Sequence, residues 1–93
     1  MAPDDHFLFA AQLDQHIDNI DLHDAGDLSL ALEKMEHELY RLYSENKLHC
    51  LIVHGIGEGI LMKKVHDALT KNPLVKKFGL EEHGGSTIVV FNS

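Results

Sequence analysis

The chain predicts a small two-layer α/β sandwich with elements in the order β-α-β-α-β-β, two helices lying on a mixed four-stranded sheet. Three observations lead there. An apolar stripe at helical spacing runs through residues 28–46, a nearly continuous apolar run L-H-C-L-I-V follows at 48–53, and a similar run S-T-I-V-V-F comes last at 86–91. Helices that alternate with strands pack on the sheet, and crossovers between parallel strands are right-handed.

Each element has its own signal. Residues 16–23, H-I-D-N-I-D-L-H, are the first strand candidate, with Ile17, Ile20 and Leu22 as its apolar positions. Asp24, Gly26 and Asp27 then break the chain. In the first helix Leu28, Leu32, Met35, Leu39 and Leu42 recur at spacings of 4, 3, 4 and 3, which forms one stripe. Asp27 or Ser29 is the expected cap. The charged side of this helix reads as solvated surface. The run at 48–53 suits a central strand buried on both faces. Residues 60–71 read as the second helix, with Leu61, Val65, Ala68 and Leu69 on one side, and Asn72-Pro73 ends it. Residues 74–80 read as a short helical turn that passes into a strand near Phe78, and Gly84-Gly85 turns the chain into the last strand. Residues 1–15 form an N-terminal extension or linker, in which Phe7, Leu8, Phe9 and Leu13 are available for docking or for a protein contact. Residues 16–93 form the domain.

Ninety-three residues at 44% apolar and 25% charged composition make one globular unit with one modest core. The single cysteine, Cys50, excludes an internal disulfide, sits in an apolar run as a small hydrophobe and fits a cytoplasmic setting. The longest apolar run is too short to span a membrane, and no signal-peptide pattern is seen. No long apolar helix surface stands out, so a monomer, or a domain of a larger protein, is expected. The net charge of −7 argues against a protein that coats nucleic acid, but the charge is uneven. Residues 1–46 carry a balance of −9 and residues 47–93 a balance of +2. The less acidic half holds the most distinctive stretch, H-G-I-G-E-G-I-L at 54–61.

If the first two strands run parallel, Asp21-Leu22-His23 and His54 end at the same carboxyl edge, where open α/β sheets hold their ligands. Asp21, His23 and His54 are therefore expected to converge. Gly55, Gly57 and Gly59 precede a helix, and glycine allows the backbone to approach a phosphate held by free N–H groups. The loop lacks the Lys-Ser/Thr pair of a Walker loop, and its G-x-G-x-G spacing is too tight for a dinucleotide fingerprint. A plain strand-to-helix turn explains the glycines alone about as well. Histidine moves protons near neutral pH. Metal binding by Asp21 and His23 ranks below acid–base or phosphate contact, since no tight ligand spacing is present. The remaining histidines, His66 among them, read as background.

These residues resemble the small MutS-related (Smr) domain family over residues 17–92. I-D-L-H at 20–23 is similar to the family's L-D-L-H strand, and H-G-I-G-E-G-I-L at 54–61 to its H-G-x-G-x-G-x-L loop. N-P-L-V-K-K-F at 72–78 and G-G-S-T-I-V-V-F at 84–91 are similar to its later blocks. The resemblance implies a fold like the C-terminal domain of translation initiation factor 3. It implies binding of branched or structured DNA or RNA, with nicking endonuclease activity in repair, recombination or RNA/ribosome quality control. The alternative is a non-catalytic nucleic-acid or ribosome-associated module. A divalent metal, Mg2+ or Mn2+, is the cofactor implied. By position, Asp21, His23 and His54 are the catalytic candidates, while Gly55, Gly57, Gly59, Lys63 and Lys64 are the phosphate-contact candidates. Three positions depart from the family pattern: Ile56 replaces a common basic residue, Asp24 a glycine, and Gly79 a frequent basic residue. Lys63, Lys64, Lys76 and Lys77 are the cations available to restore the lost charge.

Overall fold

The computed structural model describes residues 17–57 and 59–92. Its elements are β1 (Asp18–Asp21), α1 (Leu28–Ser44), β2 (His49–Val53), α2 (Ile60–Lys71), β3 (Val75–Leu80) and β4 (Ser86–Phe91). The strands lie in the order β1-β2-β4-β3. β1 and β2 are parallel, while β4 runs antiparallel to both β2 and β3. β3 is therefore parallel to β2, with β4 between them. Both crossover connections expected from the sequence are present, and the carboxyl ends of β1 and β2 share one edge.

Strand alternation sorts the sheet into two faces. Ile20, Cys50, Ile52, Val89 and Phe91 point to the helices and join Met35, Leu39 and Leu42 of α1 with Val65 and Leu69 of α2 in one buried cluster. Cys50 is fully buried, and desolvation pushes its thiol up to about 12. Such a thiol is inert, as its apolar setting in the sequence implied. Among the described residues no helix is long and apolar enough to cross a membrane.

Local chemistry sets the ends of α1. Asp27 caps its start, its Oδ1 accepting from the Leu30 N–H at 2.8 Å. At the other end the Asn46 N–H donates to the Tyr43 carbonyl and the Lys47 N–H to the Leu42 carbonyl, with Asn46 in the left-handed region at φ 64. This is a Schellman closure, and it stops the helix two residues short of the stretch read from the sequence. The stripe also shifts. Leu28, in the first turn, is exposed, and Ala31 takes a core position that the leucine spacing passes over.

One element differs in kind. Val75–Leu80 is a strand throughout, where a short helical turn before Phe78 was expected. The Asn72 side chain accepts from the Leu74 N–H at 2.8 Å, turning the chain just past Pro73. Extended backbone begins at once, and a register shift between Val75 and Lys77 absorbs the extra residue. The N-terminal segment with Phe7 and Phe9 lies outside the described residues.

Candidate nucleic-acid site

β1 ends at Asp21, and the Leu22 N–H still donates to the Val53 carbonyl at 2.8 Å, so the parallel ladder holds both chain ends together. His23 then sits in a turn. Its backbone N–H donates to Asp21 Oδ1 at 3.1 Å, and its Nδ1 is hydrogen-bonded to the same oxygen. That bond makes Nδ1 the donor and leaves Nε2 outward, 3.8 Å from Asp24 Oδ1. The Asp21 hydrogen bond and charge raise the His23 pKa, with Asp24 adding to the effect. The same bond lowers the Asp21 carboxyl. Lys34, read as solvated surface, donates from Nζ to the Asp21 carbonyl at 2.7 Å and so braces the strand end.

The glycine loop adjoins this pair. A Cβ built on Gly55 would lie 3.9 Å from the Cβ of His23, so the two motifs meet backbone to side chain. Gly55, Gly57 and Gly59 all have positive φ, at 82, 40 and 81 degrees. Side chains rarely adopt this path, which gives the three glycines a common physical cause. The loop borders a cleft of about 260 Å³ lined by Gly55, Gly57, Ile60 and Met62 among others. α2 opens at Gly59 with no side-chain cap, so its first N–H groups have no intrahelical partner. The last turn closes the cradle from behind: the Gly85 carbonyl accepts from both the His54 N–H at 3.1 Å and the Gly55 N–H at 2.9 Å.

His54 does not face the same way as His23. Cys50, Ile52 and His54 share one parity along β2 and its extension, so the imidazole turns to the helix side and is only 5% exposed. Its Nδ1 reaches the Gly55 carbonyl at 2.9 Å and its Nε2 the Thr87 hydroxyl at 2.9 Å. Thr87 in turn meets His66 Nε2 at 2.7 Å, and the His66 ring packs on Phe78 with centroids 5.0 Å apart. Desolvation lowers the His66 pKa, and the neighbouring His54 lowers it further. Of the three expected catalytic residues, the structure thus joins Asp21 and His23 directly, and brings Gly55 rather than the His54 ring against them.

Lys63 lies in the first turn of α2, its N–H donating to the Gly59 carbonyl at 3.0 Å. Lys63 and Lys64 are exposed and neither lines the loop cleft. Lys64 borders a groove of about 760 Å³ between the helices, with Leu32, Tyr40 and Leu74. Lys77 is level with His49 through Val90, at the opposite end of the sheet from His54. Ile56 is 67% exposed at the loop tip. Asp21 and His23, the pair considered as metal ligands, are engaged with each other. Among the described residues no three His, Cys, Asp or Glu side chains gather closely enough to hold an ion. Mg2+ keeps several of its waters and binds through one or two carboxylates together with substrate phosphate, so Asp21 is the side chain here that would hold one, and the ion would then offset phosphate charge.

With this geometry in place, comparison with known proteins is decisive. The family model for the Smr domain matches residues 20–92. The chain belongs to the Smr domain family. It is 39% identical over 61 residues to the endonuclease MutS2 of Anaeromyxobacter sp. (strain Fw109-5), covering 63% of this chain and 8% of the relative. It is 35% identical over 66 residues to the endonuclease MutS2 of Aquifex aeolicus (strain VF5), covering 69% of this chain and 9% of the relative. The chain thus spans under a tenth of the length of these relatives. The crystal structure of the Smr domain of Thermus thermophilus MutS2 superposes with a TM-score of 0.77 at 22% identity, covering 83% of this chain and all of that one, which shows the shared fold.

Within this Smr domain, the sequence reading missed Lys34, His66 and Thr87. Thr87 stands in a recognisable block, but reads there as a strand former. His66 carries no spacing signal, since its partner is 21 residues away on another element.

Proposed function

We propose that this Smr domain binds structured DNA or RNA at the carboxyl edge of its sheet and nicks a phosphodiester strand there. The observation that carries the reading is the seating of His23, paired to Asp21, against Gly55 of the glycine loop. The similarity to MutS2 endonucleases supports it.

The roles follow from the geometry. The loop and first-turn amides near Gly57 and Gly59 receive a phosphate, as helix starts with positive-φ glycines do. His23 presents Nε2 to solvent, and Asp21 holds the ring by Nδ1 and favours the imidazolium. His23 in that form offsets phosphate charge and gives its Nε2 proton to the leaving oxygen as water bonds to phosphorus and the strand P–O bond breaks; the attacking water's proton passes to solvent, and the ring is reprotonated from solvent. A positioned acid or base contributes roughly 10²–10⁴-fold in rate. His54, tied at both ring nitrogens, acts on the loop rather than on the phosphate. No part of this scheme is routed through a metal.

A second reading, binding without cleavage, is favoured by two features. Ile56 is exposed where a basic residue is common in the family, and Asp24 adds negative charge beside His23. A nicking assay on supercoiled plasmid and structured RNA, with and without Mg2+ or Mn2+, separates the two. The parent chain is expected to nick, and His23→Ala and Asp21→Asn to lose nicking while retaining the fold. Equal cutting by both variants would overturn the enzyme reading. Binding without cutting would leave the recognition module.

A further inference from the structure

The chain His54–Thr87–His66 has a fixed hydrogen-bond direction, and that direction reaches the loop. The Gly55 carbonyl can only accept, so the His54 nitrogen bonded to it, Nδ1, carries the proton. In the neutral ring Nε2 is then bare and accepts from the Thr87 hydroxyl. Thr87 has one hydroxyl proton, now committed, so its oxygen accepts from His66 Nε2–H. Phe78 packs against the His66 ring and steadies its plane. No buried side-chain N or O among the described residues lacks a partner, so the chain is complete.

The consequence lies at Ile56. Its peptide bond with Gly55 is trans, which points the C=O and the next N–H in opposite directions. A Gly55 carbonyl held toward the buried His54 ring therefore aims the Ile56 N–H away from it. Among the described residues that N–H has no partner. We propose that His66 and Thr87 are positioning residues of the nucleic-acid site: through His54 they lock the Gly55–Ile56 peptide so that the Ile56 amide is presented to a phosphate. This rests on the reading of the loop as a phosphate cradle. It adds a part that lies outside the glycine loop and the strand-end Asp-Leu-His stretch, since His66 is in the middle of α2. An amide so aimed also supplies, from the backbone, a contact at the position where this chain lacks a basic side chain.

The test uses the full chain labelled with 15N and long-range proton–nitrogen correlation of the histidine rings at about pH 8, where imidazoles are neutral. His54 is expected as the Nδ1–H tautomer and His66 as the Nε2–H tautomer. The opposite tautomer at either ring overturns the proposal. His66→Leu and Thr87→Val are expected to move the Ile56 and Gly57 amide resonances, whereas His66→Gln, which keeps an N–H for Thr87, leaves them near the parent positions. Unmoved amides in both disrupting variants also overturn it. Affinity for a short single-stranded oligonucleotide at low salt should fall about fivefold in His66→Leu, the worth of one hydrogen bond, and recover in His66→Gln. The tautomers and amide shifts are read without nucleic acid. Their failure is therefore distinct from failure of the proposed function, which shows as a parent chain that neither binds nor nicks.

Discussion

His23 and His54 are the same residue type at one sheet edge, yet their surroundings give them different burial and different hydrogen bonds. His23 is exposed, paired at Nδ1 and open at Nε2, whereas His54 is buried and paired at both nitrogens. The sequence placed both motifs at one edge because parallel strands end together. It also held the parity of Cys50, Ile52 and His54, which turns the His54 ring inward, whereas a shared strand edge fixes where a residue ends and not which face its ring takes. Asp21 and His23 meet through a turn and not through strand alternation, since β1 stops at Asp21. Asp21→Asn tests the pair. The Asp21 carboxylate stabilises the imidazolium, so without it His23 gives up its proton at lower pH. The basic limb of the nicking pH profile is expected to move down toward the ordinary histidine value of about 6.5, with the rate falling ~10²-fold near neutrality. Thermal melting should change little, because exposed ion pairs contribute little to stability.

At the level of elements, the glycine loop and the caps carry the local specification. The apolar stripe, the strand runs and the Asn72-Pro73 stop were legible because each depends on residues close in sequence. The strand at Val75–Leu80 was less so: L-V-K-K-F fits either a helical turn or an edge strand, and pairing with β4 decides it. Gly57 offers a clean test of backbone demand. It has φ 40, and a Cβ there would meet nothing within 4 Å, so only conformational cost is added by a side chain. Gly57→Ala is expected to cost roughly 1–2 kcal/mol in urea unfolding, with oligonucleotide binding weakened at the same time. Asp27→Ala removes the α1 cap and is expected to cost about 1 kcal/mol while leaving binding intact.

For the whole molecule, one core supports one site. Leu39 is fully buried between α1 and the sheet, and Leu39→Ala is expected to cost about 2–5 kcal/mol, a large part of a small domain's total. Acid acts through His66. Its folded pKa lies below the unfolded value near 6.5, so on acidification the unfolded chain takes up the proton first. Stability contributed here is complete above about pH 6.5, declines below it, and levels off once the pH passes the lower folded value. Melting temperature should therefore drop more for the parent than for His66→Gln between about pH 7.5 and 5.5. The charge split between the two halves of the chain was visible in the sequence, but not where its lysines end up. Lys64 faces the helix groove and Lys77 the far end of the sheet, while Lys63 stays in the first turn beside the loop. The most direct test is a two-dimensional 1H–15N titration of the full chain with a short branched or single-stranded oligonucleotide at low salt, where phosphate contacts are strongest. The largest shifts are expected at His23, Ile56, Gly57 and Gly59. Shifts confined to the groove between α1 and α2, or none at all, would contradict the placement of the site.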